Sequence, residues 1–228
     1  MKCYYCGEDA NDKDEHIPPR SLYRGKNTFL NSMAEKQDFI VVPSCKDHNT
    51  NTSKADDIFA FILADWAFGS QFATNVMTSQ LDKLENLKKK SKTGYELFVN
   101  RMSAIGISQM EIGTGKKIID ASKFPPHERR KFLQTVMNKI YKAIIYTLNG
   151  NHYSSSPEID PDWYLALDQT QLERLQKLEY EWSRKIKPQI IISGCPEVFK
   201  VNIYNRNRMI ITFYNTVFCL IELNPETR

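Results

Sequence analysis

The sequence predicts an α+β protein with an N-terminal module tied by cysteine and histidine, a helical middle and a small C-terminal antiparallel sheet. Three observations carry this. Cys3 and Cys6 form a C-x2-C pair, and Cys45 and His48 form a C-x2-H pair. Phe132, Val136, Ile140 and Ile144 recur every four residues, the spacing of one helix face. From residue 189 onward the runs "QIIIS", "VFKVNIY", "RMIITFY" and "TVFCLIEL" are β-branched and aromatic, separated by Gly, Pro and Asn.

By composition the chain divides into residues 1–57, rich in turn formers, Cys, His and charge, and residues 58–228, a mixed helical and β region whose role the sequence leaves open. Structural zinc takes four N or S ligands in a tetrahedron, and two closely spaced pairs supply them. Cys3, Cys6, Cys45 and His48 are therefore the predicted Zn²⁺ ligands. The pairs stand too far apart for a zinc finger, so the architecture is a different one. The competing reading is an unligated Cys3–Cys6 pair in a reducing compartment.

Between the pairs, "DEHIPPRSLY" sets Glu15 beside His16 and follows them with two prolines. "DFIVVP" (38–43) reads as a short strand. Ser53 and Asp56 have the spacing of a capping box opening an apolar helix, "DDIFAFILADWAFGSQF". Leu81, Leu84 and Leu87 predict a helix over 79–92 with a basic face, ending in "LKKKSKTG"; a second helix is expected over 94–104. The period-four stripe predicts a long helix over 126–148. "NGNHYSSSPEIDPD" (149–162) reads as a loop, and Leu172, Leu175, Leu178 and Trp182 predict a helix over 168–186. Cys219 lies in an apolar run and reads as core; Cys195, in "SGCPE", belongs to a turn.

Hydrophobic content of 41% and charged content of 25% are those of an ordinary globular chain. The net charge of +4 permits a polyanionic partner without requiring one. No apolar run approaches the roughly 18–20 residues of a membrane span, and "MKCYYCGEDA" lacks the apolar core of a secretory signal. A cytoplasmic protein with reduced or metal-bound cysteines is the expectation.

A zinc clasp between residues 3–6 and 45–48 would fold the intervening loop back, bringing Glu15 and His16 near the start of the helix after His48. Asn49, Asn51, Asp56 and Asp57 lie there too. Carboxylate and carboxamide oxygens suit Mg²⁺ or Mn²⁺ rather than zinc. An adjacent imidazole can take a proton from water. Neighbours in a regular strand point to opposite faces. Pro18 and Pro19 would end the strand, letting His16 project toward a substrate while Glu15 turns to the metal.

"CYYCG", "DEHIPPRSL" and "VPSCKDHN" followed by Ser together resemble an HNH endonuclease of the zinc-containing ββα-metal type, over residues 3–57. Residues 138–153 and 198–218 are similar, more faintly, to downstream regions of some small stand-alone HNH proteins. The resemblance implies an N-terminal ββα-metal (HNH) module that hydrolyses DNA phosphodiester bonds. It implies His16 as general base, with Glu15 and Asn49 holding a catalytic Mg²⁺ or Mn²⁺. His48 stands where the family more often has Cys, Glu15 where it more often has Asp, and Asn31 is the candidate for the motif's middle Asn. DNA is the implied partner, with room for a regulatory protein or a homo-oligomer. The alternative is a catalytically inactive, zinc-stabilised nucleic-acid-binding module, which needs none of Glu15, His16 and Asn49. Arg20 could hold a phosphate through its guanidinium fork. The lysines at 88–90 and 92 read as a solvated face that could also track phosphates. His127 and His152 are expected in loops outside the module, as neither ligands nor bases.

Overall fold

The computed structural model describes residues 1–12, 14–23, 39–67, 70–91, 126–166 and 168–223. The expected helix over 94–104, Asn31 and Lys92 fall outside the described residues. Two short strands, β1 (Glu15–Ile17) and β2 (Ile40–Val42), pair antiparallel with Glu15 opposite Val42. Helices α1 (Ser53–Trp66), α2 (Gln71–Lys90) and α3 (Pro126–Leu148) follow. Then come β3 (Asp162–Leu165), α4 (Gln169–Ser183), β4 (Gln189–Ile192), β5 (Phe199–Asn205), β6 (Arg208–Phe213) and β7 (Val217–Glu222). The last five strands form one antiparallel sheet in the order β3-β7-β6-β5-β4. The chain is thus mixed α+β with a small antiparallel sheet, as its pattern predicts.

Two local expectations are corrected, and one strand is added to the predicted pattern. The apolar run after residue 56 is two helices, because the chain turns at Ala67, whose carbonyl accepts from Ser70 N at 2.9 Å, before α2 begins at Gln71. The capping box does not form: Ser53 is the first helical residue, its hydroxyl bonds Thr50 O, and Asp56 turns elsewhere. The expected loop over 149–162 runs into a strand, β3, which exists because it pairs with β7, Trp163 opposite Cys219.

One apolar core joins the N-terminal residues to the sheet, running from Cys3, Tyr4 and Ile17 through Phe59 and Ile140 to Phe213 and Ile221. Aromatic rings bridge its layers, Phe59 against Phe213 at 5.6 Å and Trp66 against Trp163 at 5.3 Å. A smaller cluster of Tyr164, Leu175, Trp182, Tyr204, Ile210 and Leu220 packs α4 onto the sheet. Asp168 caps α4 through Gln171 N.

Polar bonds reinforce the junction. Tyr23 Oη donates to Ser193 O at 2.8 Å, and Tyr214 Oη donates to Leu22 O at 2.9 Å. Ser193 Oγ accepts from Ile40 N at 2.8 Å and donates to Ile17 O. β1 and β2 are therefore anchored to the end of β4, and the Glu15–His16 strand cannot shift without disturbing the sheet. Among the described residues no helix is long and apolar enough to cross a membrane.

Candidate metal centre and the Glu-His strand

Two tight turns present the sulfur and nitrogen atoms. In the first, Gly7 N bonds Cys3 O at 3.0 Å, closing a turn in which Gly7 takes φ +76°. A side chain there would also meet the Tyr153 ring, its Cβ falling 2.7 Å from a ring carbon, so glycine is required twice over. In the second, the N–H groups of His48 and Asn49 both bond Cys45 O at 3.1 Å. Tyr4 N bonds Pro43 O at 2.9 Å and fixes one turn beside the other.

The result is a compact cluster. Cys45 Sγ lies 3.1 Å from His48 Nδ1, Cys6 Sγ lies 3.9 Å from Cys45 Sγ, and Cys3 Sγ lies 4.0 Å from His48 Nδ1. All four ligand atoms fall within 4.8 Å of one another. With Zn–S bonds of about 2.3 Å, a tetrahedron has S···S edges of roughly 3.8 Å, so the cluster is of a size to hold a zinc ion. Burial, foremost, and the neighbouring sulfurs push the Cys6 thiol up to about 11. A bound cation would make it a thiolate at neutral pH. The His48 ring stacks on Tyr5 at 4.1 Å, and Lys142 from α3 covers the other partner's ring at 4.0 Å. The ligand ring is thus held by packing, and the four predicted zinc ligands are brought together.

Glu15 and His16 keep the alternation of a regular strand: Glu15 and Ile17 are buried and His16 between them is half-buried. His16 Nε2 lies 2.9 Å from an exposed Arg20 guanidinium nitrogen, and the ring meets Phe39 edge-on at 5.9 Å. Guanidinium only donates, so Nε2 is the acceptor and the ring is neutral. Burial, then the Arg20 charge, hold its pKa below the ordinary histidine value.

Glu15 faces inward, 5% exposed. Its Oε1 lies 3.3 Å from Nζ of Lys139, a residue of α3 that is 1% exposed. The same ammonium bonds both Asp56 oxygens at 2.9 Å and Thr52 Oγ1 at 2.9 Å. Burial, chiefly, raises the Glu15 carboxyl to about 7 and also raises Asp56, in both cases against the pull of Lys139. Glu15 Oε2 and the fully buried Tyr4 hydroxyl have no hydrogen-bond partner among the described residues. An orphaned carboxyl oxygen of this kind is a donor that a hard cation could use.

Asn49 follows the second turn, and its carbonyl accepts from Thr52 Oγ1 at 2.9 Å. Asn51 Nδ2 donates to Asp47 at 2.8 Å. The residue the sequence reasoning missed is Lys139. It stands three positions after Val136 on the buried stripe of α3, and a lysine inside an apolar stripe was the available signal. Comparison with known proteins gave no match: no family model, no curated protein and no solved structure aligns significantly with this chain.

Proposed function

We propose that the chain is a metal-dependent endonuclease of the HNH kind, acting on DNA phosphodiester bonds. The observation that supports this best is His16: a neutral imidazole, partly open to solvent, with its Nε2 lone pair directed at a guanidinium. Arg20 would leave Nε2 for a phosphate oxygen of the substrate, where its planar donors pair better. The freed Nε2 then takes a proton from water, whose oxygen attacks phosphorus while the P–O bond to the leaving oxygen breaks and that oxygen gains a proton from solvent. The clasp of Cys3, Cys6, Cys45 and His48 would hold a structural zinc and fix the strand carrying His16. Glu15 and Asn49 would hold Mg²⁺ or Mn²⁺, which supplies charge neutralisation for the phosphate when bound.

Plasmid DNA incubated with purified protein and Mg²⁺ or Mn²⁺ tests the reading. Wild type should nick or linearise the plasmid, and His16→Ala should be slower by ~10²–10⁴ with DNA binding retained. Equal rates would end the proposal. A second reading, a zinc-stabilised nucleic-acid-binding module without catalysis, is favoured by the Lys139–Glu15 pair, which engages one oxygen of the proposed metal ligand. It predicts retarded DNA in a gel-shift assay and no cleavage under any divalent metal.

A further inference from the structure

Lys139 is surrounded as a hard cation would be. Among the described residues its three N–H donors are met by oxygens: Thr52 Oγ1 at 2.9 Å, Asp56 at 2.9 Å and Glu15 Oε1 at 3.3 Å. The three oxygen donors come from three places, β1, the turn before α1, and α1 itself, while the cation arrives from α3, far along the chain. Two carboxylates face one ammonium, and Glu15, nineteen-twentieths buried, keeps Oε2 without a partner among the described residues. An ordinary buried ion pair would match one carboxyl group to one ammonium; this cluster brings two to it and leaves an unused oxygen.

We propose that the oxygens of Glu15, Asp56 and Thr52 form a hard-cation site that the chain fills with its own Lys139 ammonium, and that a divalent cation takes this place when the ammonium is removed. Carboxylate and hydroxyl oxygens without nitrogen or sulfur select Mg²⁺ or Mn²⁺ over zinc, which has its own thiolate cluster. In the wild type the tethered ammonium repels a divalent ion and leaves Glu15 only Oε2 to offer. Removing the side chain beyond Cβ opens the space and unites both carboxylates on one ion. The site does not depend on DNA hydrolysis, and it stands whether or not the protein cuts DNA.

The test uses the whole 228-residue chain, loaded with zinc, and Mn²⁺ as the probe, titrated by electron paramagnetic resonance of free Mn²⁺. Wild type sets the baseline, including any weak binding through Oε2. Lys139→Ala should gain one Mn²⁺ per chain at least ~10-fold tighter, since a nearby positive charge is lost and a second carboxylate is freed. Mn²⁺ should also raise the thermal midpoint of Lys139→Ala by more than it raises that of wild type. The double variant Lys139→Ala with Asp56→Asn should lose the gain. No tighter Mn²⁺ in Lys139→Ala, a gain that survives Asp56→Asn, or a Lys139→Ala chain that stays unfolded in Mn²⁺ would each overturn the proposal.

Discussion

Replacing Tyr23 by Phe removes a single oxygen from the junction between the N-terminal residues and the sheet. That oxygen donates to Ser193 O at 2.8 Å and accepts from Cys195 N at 3.3 Å. Tyr23 is 1% exposed, and Ser193 and Cys195 are fully buried, so water cannot replace the lost partner without opening the core. The ring stays in place, packed edge-on against Phe39 at 5.0 Å. Gly194, between the two backbone partners, takes φ +72°, and a Cβ there would fall 2.5 Å from the Tyr23 oxygen. The segment is therefore too tightly fitted to re-pair its carbonyl and N–H. A net hydrogen bond contributes about 0.5–1.5 kcal/mol, and each buried group left unpaired costs about 1–3 kcal/mol. The longer 3.3 Å contact lies at the weak end, so the sum comes to roughly 2–3 kcal/mol. For a chain of this length that lowers Tm by roughly 4–12 °C. Urea unfolding followed by tryptophan fluorescence, with a thermal melt by circular dichroism, reads both quantities. Tyr214→Phe, which removes one bond to Leu22 O, should cost about half as much. A loss below about 0.5 kcal/mol for Tyr23→Phe would mean that the N-terminal residues are not held to the sheet through this bond.

Metal analysis should find one zinc per chain, and Cys45→Ser should lose it and unfold the N-terminal residues, because zinc binding of about 10–16 kcal/mol rivals the stability of a whole domain. Zinc-free wild type prepared without chelator would refute the assignment. Brief EDTA treatment should stop cleavage while the circular dichroism spectrum persists, and added Mg²⁺ or Mn²⁺ should restore it; cleavage that continues in EDTA would exclude an exchangeable metal. Asn49→Ala should reduce cleavage strongly and Asn51→Ala should not, since Asn51 is paired with Asp47. The reverse outcome would move the metal ligand by two residues.

Short-range pattern determined much of this protein. The spacing of Cys3, Cys6, Cys45 and His48 announces the cluster, because a metal needs its ligands in closely spaced pairs and each pair is set by one tight turn. The four C-terminal runs match β4 to β7 closely, since β-branched residues bounded by turn formers leave little choice. The stripe from Phe132 to Ile144 fixes α3 in the same way. Tertiary structure decided what depends on residues far apart in the chain. β3 is a strand because β7 lies beside it, and "DWYL" alone is too short to say so. Asp56 looks like a helix cap by its distance from Ser53, yet a buried ammonium outcompetes a solvent-side backbone N–H for a carboxylate. The partner sits on α3, and no local pattern links the two positions. The Glu15–His16 pair shows both sides of this division. Adjacency in the sequence marked the pair, but strand alternation sent one side chain to the surface and Arg20 and the other inward to Lys139, because successive side chains of a strand leave opposite faces.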